Sequence, residues 1–264
     1  MIWLEGVSCQ RDGAMVLDTV TLGVARSELI VIEGAAASGK STLLELAAAV
    51  RTPERGTVWF AGRNTTSLQR ASLPFVRRNI GYCTADPLLL LDDTVLDNVM
   101  LALAVRGESP ARAEQSARDA LALVKASNLE NRTVASLSSG QKRLVALARA
   151  VAGPPPLVVA DEPGAGVGGE ARETVVSALT MARDSGAAVL AATADTMLAD
   201  QLVSRGGRRI HLAQGRIVGS PAMGLVPAYT PAPETPEKLQ PKVVMLDVDD
   251  GEEDVLPPAT RGPA

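Results

Sequence analysis

Lys40 and Ser41 follow two glycines with four residues between them in "EGAAASGKSTLLE", residues 33–45. That spacing is the pattern of a loop that cradles phosphate. Small residues let successive backbone N–H groups turn toward phosphate oxygens at the start of a helix, where the helix dipole also favours negative charge. The apolar run "LIVI" before the loop reads as a strand and the leucine-rich stretch after it as a helix, the setting such a loop requires. Gly34, Ala35, Ala37, Ser38, Gly39, Lys40, Ser41 and Thr42 are therefore expected to line a nucleoside triphosphate. Lys40 would face the β- and γ-phosphates, and the Ser41 hydroxyl would ligate Mg2+. Ala37 stands where many such loops carry a further glycine, a tolerable change unless the position needs a positive φ.

Phosphoryl chemistry also needs a carboxylate on a neighbouring strand to hold the metal and its water. "LVVADEP" supplies Asp161 at the end of an apolar run for that role. Glu162 beside it fits a base that orients or polarises the attacking water.

These groups have to be positioned by strands and helices whose signals are present along the chain. Residues 1–62 alternate short apolar runs with Gly and Asp and read mainly as strands. From Thr94 the period changes: Thr94 and Asp97 form a capping-box-like start, and Val95, Val99 and Leu103 share one helical face. Ser109 as cap, Pro110 at the first helical position and the stripe Ala113, Ala117, Ala120, Leu121, Val124 give a second helix. A largely helical block thus spans about residues 86–152, inserted between strand-rich parts. "PLVVADEP" and "GAAVLAAT" are continuous apolar runs of strand length, as in parallel strands covered on both faces. "RRIHLAQGRIVGS" reads as a closing hairpin turning at Gln214 and Gly215. Proline and acid then replace periodic apolar residues, so residues 1–222 are expected to form the folded domain and 223–264 a disordered tail, with "KVVMLDV" as its one strand-like piece.

The composition narrows the function. Among 264 residues, aromatics make up 2% and the formal charge is −4, which disfavours a nucleic-acid binder held by phosphate contacts and stacking. No apolar run is long enough to cross a bilayer, and "MIWLEGVSCQ" has neither the basic region nor the apolar core of a signal peptide, which points to the cytosol. Cys9 and Cys83 have no metal-type or redox spacing and read as reduced, small hydrophobes.

One further stretch, "SLSSGQKRLVALARAVAGPPPLVVADEP", resembles the signature motif, its helix and the Walker B strand of the ATP-binding cassette (ABC) ATPases. The loop at Gly34 resembles their Walker A motif, and the resemblance covers roughly residues 2–220. "RRNIGYCTADPLLLLDDTVLDNVMLALAVRG" is most similar to the lipoprotein-release, macrolide-exporter and FtsE cell-division group. The resemblance implies an α/β fold of the P-loop NTPase class: a RecA-like core, an antiparallel β subdomain and an inserted α-helical subdomain. It further implies ATP and Mg2+ as cofactors. Two cassettes would pack head to tail, as a homodimer sooner than a heterodimer, with each ATP between the Walker loop of one and Ser138, Ser139, Gly140 and Gln141 of the other. Each would dock on an integral membrane, permease-like subunit from the cytoplasmic side.

Against the family pattern several side chains are missing. The Q-loop glutamine falls on Ala85, the switch histidine on Ala194 and the D-loop aspartate on Gly168. Arg11 takes the place of the aromatic that stacks on adenine, and Ser139 that of the second signature glycine. Asp86 and Asp195 each lie one residue past a gap and are candidate stand-ins, whereas His211, the one histidine, sits in the closing hairpin. Losing one donor aimed at transition-state charge typically costs about 10²–10³ in kcat. The expectation is an ATP-binding subunit of a membrane complex that hydrolyses slowly. The alternative is a catalytically impaired, ATP-dependent regulatory or scaffolding module of an FtsE-like complex.

Overall fold

The computed structural model describes residues 1–219; the tail expected at 223–264, "KVVMLDV" included, lies outside the described residues. In chain order the first part comprises β1 (Ile2–Arg11), β2 (Ala14–Val24), β3 (Leu29–Glu33), α1 (Lys40–Ala47), β4 (Arg55–Phe60) and β5 (Arg63–Asn64). Next come α2 (Leu73–Arg77), β6 (Ile80–Cys83), α3 (Val95–Val105), α4 (Pro110–Leu123) and α5 (Ser139–Val151). The last part is β7 (Leu157–Asp161), α6 (Gly169–Asp184), β8 (Ala188–Thr193), α7 (Thr196–Ser204), β9 (Arg208–Ala213) and β10 (Arg216–Val218).

Two sheets result. A four-stranded antiparallel sheet has the order β2-β1-β4-β5, and a six-stranded one the order β10-β9-β3-β8-β7-β6. In the second sheet every pair is parallel except β9 with the short β10. That last pair is the hairpin expected from sequence, with Gln214 at φ 48° and Gly215 at φ 74° as a two-residue turn requires.

Strand alternation divides the core into two layers. On β3, Ile30 and Ile32 face the same side as Leu43, Leu44 and Leu46 of α1, together with the inner face of the antiparallel sheet. Leu29 and Val31 face the other side, with Val145 to Ala148, Ala150 and Val151 of α5 and the buried faces of α6 and α7. Both faces of β7 and β8 are buried, which is why these strands read as unbroken apolar runs.

The helical block falls between β6 and β7. Its three helices occupy residues 95–151, so the segment 86–94 that was expected to open the block is not helical. There the Asn98 side chain, fully buried, accepts from the Leu90 N–H at 2.8 Å and donates to the Leu90 carbonyl at 3.0 Å. It satisfies the backbone locally in place of a helical turn. Thr94 caps α3 by accepting from the Asp97 N–H at 3.1 Å, and the stripe Ala113, Ala117, Ala120, Leu121, Val124 is buried against α3 and α5.

Candidate nucleotide site

The phosphate loop joins β3, in the middle of the parallel sheet, to α1. Gly39 is the N-cap of α1 at φ 104° and makes no side-chain cap. The first backbone bond of the helix runs from the Leu43 N–H to the Gly39 carbonyl, 2.9 Å, so the N–H groups of its first turn, Lys40 to Thr42, are available to an anion, while the Ser38 N–H donates to the Ala35 carbonyl at 3.3 Å. A Cβ on Gly34 would lie 2.3 Å from the Leu212 carbonyl oxygen, so β9 presses directly on the loop and only glycine fits. Ala37 sits at φ 60°: the position does need a positive φ, and alanine occupies it at a cost of about 1–2 kcal/mol.

Lys40 is 7% exposed. Its Nζ donates to the carbonyls of Gly34 and Ala35 at 2.7 and 3.0 Å, and lies 3.6 Å from Glu162 Oε1. The cation is thus held at the loop mouth by groups that an arriving phosphate can replace.

Asp161 ends β7, and β8 lies between β7 and β3. The carboxyl is 3% exposed and its Oδ1 has no hydrogen-bond partner. Burial pushes its pKa up, opposed by a hydrogen bond with the Ser41 side chain. A buried oxygen without a partner, next to a hydroxyl, is the donor set of a hard divalent cation, so Ser41 and Asp161 fit Mg2+. When bound, that ion would neutralise charge on the phosphates.

Glu162 follows in the left-handed region at φ 46°, its N–H donating to the Ala192 carbonyl at 2.8 Å. Its Oε2 accepts from the Thr193 hydroxyl at 3.0 Å and from the Ala194 N–H at 3.1 Å. The carboxylate is therefore fastened to the end of β8 through one oxygen, while the other faces Lys40. The sequence reading did not include Thr193; its signal was a hydroxyl at the strand end beside the position of the missing histidine.

Ser138 and Gln141 form a reciprocal capping box at the start of α5: Ser138 Oγ accepts from the Gln141 N–H at 3.3 Å, and Gln141 Oε1 accepts from the Ser138 N–H at 3.0 Å. Gly140 is close enough to the loop after Glu162 that an added Cβ would sit 3.3 Å from the Gly166 carbonyl. Because α5 packs on one face of the parallel sheet and α1 on the other, 138–141 and 34–42 belong to opposite layers of the same chain.

The ABC transporter family model matches residues 17–165. The lipoprotein-releasing system ATP-binding protein LolD of Bordetella avium is 37% identical over 205 residues, 77% of this chain and 87% of the relative. The chain belongs to the ABC transporter family.

It is a P-loop ATPase cassette. The cell division ATP-binding protein FtsE of Escherichia coli K12 is 34% identical over 224 residues, 83% of this chain and 98% of the relative. Among solved structures, the dimeric ATP-binding cassette MJ0796 in a post-hydrolysis state bound to ADP and Pi has a TM-score of 0.76 at 27% identity, covering 83% of this chain and 97% of that one.

Within this cassette the departures from pattern have definite places. Ala85 is exposed just beyond β6, and its carbonyl accepts from Arg143 of α5. Ala194 is exposed at the end of β8 and offers only its backbone N–H. Gly168 caps α6 without a side-chain bond, and Arg11 lies exposed at the end of β1. Asp195 is not a free stand-in: Oδ1 caps α7 by accepting from the N–H groups of Met197 and Leu198, and Oδ2 pairs with Arg172 at 3.1 Å. The carboxylate is spent on structure. Asp86 is exposed, with its carbonyl taken by the Thr84 hydroxyl.

Proposed function

We propose that this cassette binds Mg-ATP, dimerises head to tail around it and hydrolyses it slowly, working from the cytoplasmic face on an integral membrane partner. Gly34 to Thr42 hold the phosphates, Ser41 and Asp161 the metal, Glu162 acts as base, and Ser138 to Gln141 meet the γ-phosphate bound by the other copy. The opposite-layer arrangement of α1 and α5 supports the dimer, since one chain alone does not close both motifs on one ligand. LolD and FtsE, named for lipoprotein release and cell division, support a membrane-complex role. A cleft of about 400 Å³ lined by Pro74, Arg77, Tyr82, Leu101 and Val105 offers a partner a place to dock, and Leu88, Leu90 and Leu91 are exposed apolar side chains on the segment after β6. Among the described residues no helix is long and apolar enough to cross a membrane.

The observation that carries hydrolysis over pure scaffolding is Glu162. A base held by two donors in a strained backbone conformation is costly to keep without a chemical task. Slow turnover follows from Ala85 and Ala194, neither of which has a polar side chain.

Full-length Glu162→Gln should become dimeric with saturating Mg-ATP and return to monomer when nucleotide is removed, because the amide keeps the shape and loses the base. Adding Lys40→Ala should abolish the dimer. Glu162→Gln remaining monomeric in light scattering at saturating Mg-ATP would refute the sandwich.

A further inference from the structure

The segment from Thr84 to Leu91 links β6 to the helical block and contains Ala85, where a glutamine would otherwise reach toward the nucleotide. Three side chains of the helical block hold its main chain. The Arg143 guanidinium donates to the carbonyls of Thr84, at 3.3 Å, and Ala85. Arg149, half-buried, donates to the Leu88 carbonyl at 2.6 Å, and Asn98 holds Leu90 by both backbone groups. Behind them α5 lies so close to β6 that a Cβ on Gly81 would fall 1.8 Å from the Ala150 carbonyl oxygen.

Arg143 stands two residues after Gln141, in the second turn of the signature helix. Its Nε is buried without a hydrogen-bond partner, and among the described residues the guanidinium makes no ion pair. Leaving a charged donor unsatisfied is unfavourable, so packing alone does not account for an arginine here. What the side chain does is join the backbone at position 85 to the helix that begins with Ser138.

We propose that Arg143 is a positioning residue that takes over the connection a glutamine at 85 would provide: it makes Thr84–Leu91 and the signature helix move as one body. Displacement of the segment is then carried to Ser138–Gln141 through α5 instead of through a side chain at the metal. The proposal rests on the Mg-ATP reading above for its second half only; the mechanical link itself is testable without nucleotide.

The test is hydrogen exchange by mass spectrometry on full-length wild type, Arg143→Met and Arg143→Lys. Without nucleotide, Arg143→Met, which loses the charge-assisted bonds to the Thr84 and Ala85 carbonyls, should raise exchange of the amides between Thr84 and Leu91 by about tenfold, while α1 is unchanged. Arg143→Lys, with a single ammonium, should fall between the two. With Mg-ATP, wild type should gain protection in both 84–91 and α5; Arg143→Met should gain it in α5 alone, and Ala85→Gln in that background should restore it to 84–91. Unchanged exchange at 84–91 in Arg143→Met overturns the proposal, as does a rise spread over all peptides in both variants, or an 84–91 response to Mg-ATP equal to that of wild type. A wild type whose 34–42 loop gains no protection from Mg-ATP would instead refute the nucleotide reading, and the nucleotide-free comparison would still decide the role of Arg143.

Discussion

If turnover is slow because nothing meets the γ-phosphate at position 194, Ala194→His should raise kcat. The site can accept the change: Ala194 is exposed, and its backbone is held by the 3.1 Å bond from its N–H to Glu162 and by Asp195 capping α7 just beyond. One well-placed donor is worth roughly 3–4 kcal/mol in the transition state. Ordering an exposed side chain takes back about 1–2 kcal/mol. The remainder of about 2 kcal/mol corresponds to a gain of around thirtyfold in kcat. ATP affinity should change little, because on the proposed reading Lys40 and the loop amides carry ground-state recognition and the new contact acts chiefly in the transition state. Steady-state phosphate release over a range of Mg-ATP concentrations separates the two. An unchanged or lower kcat, with wild type already turning over briskly, would refute the impaired-site reasoning; a lower KM at constant kcat would show that the imidazole binds ground-state phosphate instead.

Other outcomes follow from single residues. Asp161→Asn should raise the melting temperature of the nucleotide-free protein at neutral pH, since it removes a charge that burial disfavours, yet shrink the shift caused by Mg-ATP. For wild type at one hundred times Kd that shift should be about 5–10 °C, and a shift as large in the variant would remove Asp161 from the metal site. Ala37→Gly relieves about 1–2 kcal/mol of left-handed strain and concedes about 0.4–1 kcal/mol to the unfolded chain, so the melting temperature should rise by about 2 °C; a fall would mean that the alanine methyl makes a contact worth more than the strain. Both cysteines are buried, and burial pushes the Cys83 thiol up to about 11 and the Cys9 thiol above its usual value. A thiol reagent at pH 8 should leave native protein unmodified and react after denaturation; rapid native labelling would contradict the packing of β1 or β6.

The elements were legible where one local pattern decided them. The Thr94 cap and the alanine stripe of α4 are visible in a few consecutive residues, as is the Gln214–Gly215 turn. Their arrangement was not, because the order β10-β9-β3-β8-β7-β6 depends on crossovers and on pairings far apart in sequence. The same limit applies to the site. That Gly34 must be glycine follows in sequence terms from a motif, but the physical cause is the Leu212 carbonyl on a distant strand. Whether position 37 needs a positive φ is decided by the backbone alone, which holds Ala37 at φ 60°. Asp195 was open to misreading as a replacement ligand, although an aspartate directly before "TMLADQLV" is also an N-cap signal, and capping is where its oxygen goes. Arg143 carried no signal at all, since its partners lie 58 and 59 residues away.

The positions of two missing side chains share one physical feature. At 85 and at 194 the side chain is a methyl group, yet the main chain keeps a polar link: the Ala85 carbonyl with Arg143, and the Ala194 N–H with Glu162. Such links preserve geometry without adding a donor for phosphate. At Glu162 this distinction has a further consequence. Oε2 is satisfied by Thr193 and Ala194, so Oε1 is the oxygen left for the base role proposed above, and it faces Lys40 at 3.6 Å. Phosphate oxygens arriving at the loop compete for the same ammonium, and each share of Lys40 they take frees Oε1 for water. On the proposed function, binding unmasks the base while supplying nothing new at 194. That is why Ala194→His should act on kcat, whereas Lys40→Ala should abolish nucleotide binding before any question of turnover arises.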